Sequence, residues 1–177
     1  PKISEPLLTW SADGTRLAAL VGDIHVFDVV QGQLIRKLAI QLKPYSIALS
    51  PNGGILAVGS DRILELWDLT AGVRLSTWVG HKEWTRELAF SPDAKILASA
   101  NNDNTVKLWH VPSGTLKADL TSHKLAVFRL AFSPDGRTLA TLGVDALKLW
   151  TVQTGQELMT LERFSTLVPI WSDVGRV

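Results

Sequence analysis

A short turn recurs along almost the whole chain at a spacing of about 40 residues, and this repeat constrains the fold more than any other feature. The five copies read WSADG (10–14), LSPNG (49–53), FSPDA (90–94), FSPDG (132–136) and, in degraded form, WSDVG (171–175). Their serines are separated by 39, 41, 42 and 39 residues. The chain is therefore a row of similar units.

A second mark keeps the same period. Each of the first four turns is followed by an aromatic residue that closes a short apolar segment, namely Phe27, Trp67, Trp109 and Trp150. Within each unit, four short segments rich in β-branched and large apolar residues are divided by Gly, Pro, Asn and Asp, which indicates strands joined by turns. Each unit is predicted to be a four-stranded antiparallel meander.

The apolar pattern changes from one side of each predicted sheet to the other. The inner three strands are apolar at consecutive positions, as in 88–90 and 96–98, so both of their faces must be covered. The fourth strand alternates instead, with Val73 and Leu75 on one face and a polar face that Trp78 interrupts. Blades that pack closely at the axis of a propeller and lie farther apart at its rim produce this change in apolar pattern. We therefore predict an all-β fold, a β-propeller.

The predicted blades occupy residues 7–40, 45–80, 85–122 and 127–162, with the first strand of a fifth at 167–177. Propellers close with about 4 to 8 blades. The chain begins at a proline and its single methionine is Met159, so we expect a fragment of a longer protein. The four blades would form an open arc, whose terminal faces we expect the missing blades or another copy of the chain to cover.

Several marks that hold one register resemble the WD-repeat β-propellers, a family named for the Trp-Asp pair that occurs here at 67–68. The others are Gly-His at 80–81, Ser-Pro-Asp at 91–93, Asp103 and Trp109. The resemblance covers essentially all 177 residues, and the segment FSPDGRTLAT (132–141) is similar to the repeats of bacterial members. It implies a propeller of WD-repeat type, a fold that usually has about seven blades.

A histidine, a hydroxyl and an aspartate recur at fixed offsets in the third and fourth units. In the third unit His81 lies 18 residues before Ser99 and 22 before Asp103, and Trp109 follows. The fourth unit repeats these offsets with His123, Thr141, Asp145 and Trp150. As a catalytic triad, the histidine would activate Ser99 and the aspartate would orient the histidine, which is the arrangement of a hydrolase.

The alternative is a buried structural network, which is the role that the WD-repeat resemblance implies for these residues. It is favoured because the group occurs twice, because threonine replaces serine in one copy, and because an indole gives every polar member a partner. No strand-elbow-helix context for a nucleophile is found. In the second unit Ile40 and Val58 stand at the histidine and hydroxyl positions, and the first unit has Ala19 and Phe27. Those two blades are expected to rely on apolar packing alone.

Predicted partner-binding residues come from one end of the ring. The resemblance implies that residues near the start of the innermost strand, and the residue before the turn aspartate, face that end. Here they are Tyr45, Trp84, Arg86, Asn102 and Phe128. Tryptophan, tyrosine and arginine dominate interface energetics. The alternative is that Trp84 and Phe128 pack the junction between blades.

Composition argues against several classes of function. The chain has 18 basic and 17 acidic residues with no basic stripe, so nucleic acid is not an expected partner. It has no cysteine, no metal-site spacing and no phosphate-binding loop, so no metal or cofactor is predicted. No apolar run approaches the roughly 20 residues of a membrane span, so we expect a soluble, cytoplasmic protein that does not bind a membrane.

These observations predict a non-enzymatic scaffold that binds a protein or peptide through loops on a rigid fold. One alternative is a regulatory or sensor domain attached to a larger protein such as a kinase or nucleotidase. Another is a propeller enzyme that acts at the central channel, although the sequence offers no unexplained cluster of acids, bases or metal ligands for it. Fold alone does not decide between them.

Overall fold

Sixteen strands form four antiparallel four-stranded sheets in the computed structural model, which describes residues 7–162. The first sheet contains β1 (Leu8–Trp10), β2 (Arg16–Val21), β3 (Asp23–Asp28) and β4 (Gln33–Leu38). The second contains β5 (Ser46–Leu49), β6 (Ile55–Gly59), β7 (Ile63–Asp68) and β8 (Val73–Val79). The third contains β9 (Thr85–Phe90), β10 (Ile96–Asn101), β11 (Val106–His110) and β12 (Leu116–Leu120). The fourth contains β13 (Val127–Phe132), β14 (Thr138–Gly143), β15 (Ala146–Thr151) and β16 (Glu157–Glu162).

Each sheet is a meander whose strands follow chain order, so the prediction of an all-β fold built from four-stranded antiparallel units is confirmed. The segment 167–177, predicted to begin a fifth blade, lies outside the described residues. Within 7–162, no helix has the length and apolar character that crossing a bilayer requires.

The recurring turn has the same hydrogen bonds in all four sheets. In the third sheet Ser91 Oγ donates to Asp93 Oδ1 over 2.7 Å, and the Lys95 N–H donates to the same oxygen over 3.0 Å. The Ile96 N–H in turn donates to Ser91 Oγ. The corresponding pairs are Ser11 with Asp13, Ser50 with Asn52, and Ser133 with Asp135. A side chain that bonds its own backbone two residues on stabilises a tight turn, and this local chemistry explains why the motif recurs.

The aromatic position that closes the third strand of each sheet coincides with a β-bulge. The register with the fourth strand shifts at Val26/Phe27, Leu66/Trp67, Leu108/Trp109 and Leu149/Trp150. A bulge bends its strand and increases the local twist. The repeat period therefore places both a large ring and a bend at the same point of every sheet.

The sheets stack side by side through their apolar faces. The first strands lie next to one another, β1 against β5, β5 against β9, and β9 against β13, so these four are the innermost strands. Three separate clusters of buried side chains lie between successive sheets. In the cluster between the second and third sheets, Leu64, Leu66 and Leu97 are almost completely buried. Burying a side chain of this size contributes about 1.5–3 kcal/mol relative to leaving it exposed.

In the outer strand β8, the buried side chain is Trp78, which interrupts the polar face of the strand. Val73, Leu75 and Val79 are 52%, 44% and 71% exposed, whereas Trp78 is 6% exposed. Trp78 is buried because its ring stacks on Trp109 of the third sheet, with ring centroids 5.7 Å apart. Contact with the neighbouring sheet, rather than alternation along the strand, decides which face of β8 is covered.

Candidate functional site

Two aromatic residues predicted to bind a partner meet at the end of the molecule where the innermost strands begin. Tyr45 immediately precedes β5 and Trp84 immediately precedes β9, so the repeat gives them the same place in successive sheets. Their ring centroids are 5.3 Å apart with an interplanar angle of 57°. Both rings are half-buried. The two side chains therefore form one aromatic surface across two sheets.

Arg86 is held on this surface by two neighbours. Its guanidinium carbon lies 4.3 Å from the centroid of the Trp84 ring, and its Nε and Nη2 donate to Asn102 Oδ1 over 3.1 and 2.7 Å. The Asn102 N–H donates to the Trp84 carbonyl over 3.1 Å, which closes the loop of contacts. A guanidinium fixed on an aromatic face loses little side-chain freedom when it binds a partner.

Lys43 extends the same surface, although it is not among the residues predicted from the sequence. Its Nζ lies 5.3 Å from the centroid of the Tyr45 ring. We call Lys43, Tyr45, Trp84 and Arg86 the aromatic column, because cations cover both ends of a pair of touching rings. The sequence pattern that could have identified Lys43 is a cation two residues before an aromatic residue at the start of an innermost strand.

Phe128 stands apart from this group. It is half-buried on β13, and its carbonyl accepts a hydrogen bond from Arg129 Nη1 over 2.9 Å. Among the ring and cation–π contacts of the described chain, none joins Phe128 to the aromatic column. The structure thus brings together Tyr45, Trp84, Arg86 and Asn102 but not Phe128.

A cavity of about 370 Å³ lies where the innermost strands of all four sheets meet. It is lined by residues 7–9, 45–47 and 86–88 and by Arg129, and we call it the axial cavity. Tyr45 and Arg86 belong both to this lining and to the aromatic column. The cavity and the column therefore form one continuous surface.

Glu87 is the carboxylate of this lining. Its Oε2 accepts a hydrogen bond from the Leu130 N–H, which links β9 to β13. Burial raises the pKa of Glu87 to about 7, against the opposing effects of the Leu130 N–H and the Arg129 charge. Glu87 and Arg129 are not among the residues predicted from the sequence, because their proximity depends on how two sheets are stacked.

The histidine group of the third sheet is a closed hydrogen-bond network. His81 Nε2 lies 2.7 Å from Ser99 Oγ, which also accepts a hydrogen bond from Trp109 Nε1 over 2.8 Å. His81 Nδ1 lies 3.3 Å from Asp103 Oδ2. Burial by itself would raise the pKa of Asp103, but hydrogen bonds from His81, Thr105 and a backbone N–H hold it well below its ordinary value.

The fourth sheet contains the same network. His123 Nδ1 lies 2.8 Å from Asp145 Oδ1 and its Nε2 lies 2.7 Å from Thr141 Oγ1, which accepts from Trp150 Nε1 over 2.8 Å. Burial lowers the pKa of His123 and thus favours the neutral imidazole, although Asp145 opposes this shift. Both hydroxyl residues, Ser99 and Thr141, are 0% exposed. A substrate could not reach either hydroxyl without opening the sheet, which counts against the hydrolase interpretation.

The second sheet has a different polar network, so the prediction that this blade relies on apolar packing alone is wrong. Trp67 Nε1 donates to Glu65 Oε2 over 3.1 Å, and Arg74 Nη1 donates to Glu65 Oε1 over 2.6 Å. Glu65 is 3% exposed. The sequence feature that could have identified Glu65 is its place two residues before Trp67, on the same face of β7.

In the part of the chain that the structure describes, no group of three or more metal-ligating side chains occurs.

Comparison with known proteins links this geometry to a family and a fold. The model of a family described as Domain of unknown function (DUF7165) matches residues 7–155. Apoptotic protease-activating factor 1 of Danio rerio is 34% identical over 98 residues, which are 53% of this chain and 8% of that protein. WD repeat and SOCS box-containing protein 1 of Homo sapiens is 32% identical over 82 residues, which are 44% of this chain and 20% of that protein.

A solved structure extends the likeness to the backbone. A chain in a crystal structure of a mitotic checkpoint complex matches with a TM-score of 0.78 and 29% identity, over 88% of this chain and 52% of its own length. This chain thus spans about half of that solved chain and a fifth or less of the two curated relatives. The predicted β-propeller of WD-repeat type is confirmed. By its repeat, its sheets and its family model, the chain belongs to the family described as Domain of unknown function (DUF7165) and has the fold of a WD-repeat β-propeller.

Proposed function

We propose that this propeller is a non-enzymatic scaffold that binds a segment of a partner protein on the aromatic column. The observation that carries the proposal is the fixed position of Arg86, which is stacked on Trp84 and bonded twice to Asn102. Tryptophan, tyrosine and arginine held in a rigid arrangement supply most of the energy of many interfaces. The repeat places them on two successive sheets, so one extended segment can contact both.

The relatives support a protein as the partner class. The solved chain of similar fold is part of a mitotic checkpoint complex, and one curated relative is described by its WD repeat and SOCS box. The chain's near balance of 18 basic and 17 acidic residues gives no support to nucleic acid as a partner. A cytoplasmic location is part of the same proposal. The proposal also includes a bacterial type of repeat, which the regular sequence of residues 132–141 supports.

The test uses peptides selected from a random nonapeptide library against the full chain. Trp84→Ala should weaken the selected peptides by about 2 kcal/mol or more, because it removes the ring that joins Tyr45 to Arg86. The free energy of unfolding should change much less, since the ring is only half-buried. Fluorescence titration and urea denaturation on the same variants measure both quantities.

Trp10→Ala is the matched control. Trp10 is a half-exposed tryptophan at the far end of an innermost strand, beside the Ser11 turn and away from the aromatic column. Its removal should leave peptide affinity unchanged. If Trp84→Ala lowers the free energy of unfolding by several kcal/mol and leaves affinity intact, Trp84 belongs to the core and the proposal fails.

A further inference from the structure

We infer that the axial cavity accepts a carboxylate side chain of the bound segment and holds it between Arg86 and Arg129. This inference rests on the proposed function, because the carboxylate would enter from a segment lying on the aromatic column. It adds the chemical class of the partner, an extended peptide with an aspartate or glutamate at the position that faces the cavity.

The location of the cavity supports this arrangement. Its lining includes Tyr45 and Arg86, so a peptide on the column has the cavity directly beside it. A volume of about 370 Å³ is far larger than one water molecule needs, and it has room for an acidic side chain. Within residues 7–162 the innermost strands are the edge strands of their sheets on this side, so the cavity also presents backbone polar groups.

Two arginines from different sheets define the charge of the cavity. Arg86 is already oriented by Trp84 and Asn102, and the exposed Arg129 is tethered through its Nη1 to the Phe128 carbonyl. A guanidinium presents five donors in a planar fork that matches a carboxylate. Each arginine therefore keeps donors for a ligand after its contacts within the chain are made.

Glu87 does not cancel this positive charge at neutral pH. Its pKa of about 7 leaves a large part of the side chain uncharged, and its Oε2 is occupied by the Leu130 N–H. Among the strands that pack on β9, the strands β5, β6 and β10 carry no charged residue and β13 carries Arg129 alone. Arg86 is the other charged residue of β9 itself. The described residues of the cavity therefore carry an excess of positive charge available to an incoming carboxylate.

The experiment uses four pools of fluorescein-labelled nonapeptides of the form X4-Z-X4, where X is a random mixture and Z is Glu, Gln, Lys or phosphoserine. Each pool is titrated against the full chain and against Arg129→Gln and Trp84→Ala. Arg137→Gln is the matched control, because it removes the same charge from an exposed arginine of the fourth sheet at the distant turn before β14.

We expect the Glu pool to bind about tenfold more tightly than the Gln pool, as one charge-assisted hydrogen-bonded pair allows. Arg129→Gln should remove that preference and Arg137→Gln should keep it. Trp84→Ala should weaken all pools together. Circular dichroism melting curves for Arg129→Gln should match those of Arg137→Gln, since both side chains are exposed.

The remaining outcomes separate this inference from the proposed function. Equal binding of the Glu and Gln pools, lost in Trp84→Ala, overturns the carboxylate site and leaves the aromatic column as the binding surface. A stronger preference for phosphoserine or lysine than for glutamate assigns the cavity to a different group and also overturns the inference. No binding of any pool at millimolar concentration contradicts both the cavity site and the column.

Discussion

The second sheet and the last two sheets hold the same tryptophan in different ways. In the third and fourth sheets the indole N–H of Trp109 and Trp150 donates to a fully buried hydroxyl that a histidine also contacts. In the second sheet the indole of Trp67 donates to the carboxylate of Glu65, and Arg74 covers that carboxylate from the rim. The backbone is alike in all of them, with a bulge at the same aromatic position.

This difference shows that the repeat specifies a geometric requirement rather than a particular set of residues. A tryptophan at this position is positioned by the bulge and the stacked sheets, and its N–H then requires an acceptor. Where Ser99 or Thr141 supplies the acceptor, the position two residues before the tryptophan is free to be a lysine, as at Lys107 and Lys148. In the second sheet Val58 occupies the hydroxyl position, and the residue two positions before Trp67 is Glu65.

The largest effect should come from breaking the contact between the second and third sheets. Gly114 has a φ of +72°, and a Cβ there would overlap the indole nitrogen and neighbouring carbons of Trp78. Gly114→Ala should therefore lower the free energy of unfolding by about 3 kcal/mol or more, from backbone strain and overpacking together. Urea denaturation followed by tryptophan fluorescence measures this loss.

Gly32→Ala provides the comparison in the first sheet. Gly32 lies in the equivalent turn with a φ of +66°, but beyond its chain neighbours no atom of residues 7–162 would lie within 4 Å of an added Cβ. Its substitution should cost only the backbone strain, about 1 kcal/mol. Equal losses for the two variants would show that the Trp78 contact contributes nothing to the stacking of the sheets.

A smaller loss is expected from exchanging the residues that distinguish the two kinds of network. Thr141→Val keeps the shape of the side chain but leaves His123 Nε2 and Trp150 Nε1 without their shared partner, at a cost of about 1–3 kcal/mol. The reverse change, Val58→Thr, should also destabilise, because the Trp67 N–H already has Glu65 and the new hydroxyl is buried. Urea denaturation of both variants measures the two costs.

Ser99→Ala extends this comparison to the catalytic alternative. We expect it to destabilise the third sheet by a similar amount and to change no hydrolytic activity. If Ser99→Ala keeps full stability but abolishes hydrolysis of a p-nitrophenyl ester by the wild-type chain, the triad interpretation replaces the structural one.

The smallest expected effect is on the pH dependence of stability, which should have opposite signs for Glu87 at the axis and for His123 within a blade. The folded pKa of Glu87 is about 7 against an ordinary 4.5, so the folded state binds more protons and this carboxyl adds stability as pH falls from 7 toward 4.5. The folded pKa of His123 is lowered from 6.5, so its contribution is lost as pH falls below 6.5. Glu87→Gln should lose about 1 kcal/mol relative to wild type between pH 8 and pH 5.

His123→Gln is the opposing variant. It should be most destabilised relative to wild type at pH 8, and the difference should narrow toward pH 5. Unfolding free energies at several pH values for the three proteins measure both trends. Parallel pH profiles for Glu87→Gln and His123→Gln would contradict the assignment of these two titrations.

The sequence predicted the features that depend on neighbouring residues. The Ser-Asp turn and the alternation of short apolar strands with turn residues act within a few positions, and they led to four antiparallel four-stranded sheets. The offsets of 18 and 22 residues around His81 also fall within one repeat, and the resemblance to WD-repeat propellers implied a hydrogen-bond network for these residues. Glu65 shares a face of β7 with Trp67, but strand alternation alone does not show that the Trp67 N–H needs a carboxylate as its acceptor.

What the sequence by itself determined is therefore the unit, its turns and the repeat that makes the chain a propeller. Tertiary structure decided what happens between units: the burial of Trp78 against Trp109, the column that joins Tyr45 to Arg86, and the meeting of Glu87 with the Leu130 N–H. The physical reason is range. Contacts within a unit follow from local geometry, whereas those between residues about 40 positions apart depend on how far the stacked sheets rotate against one another.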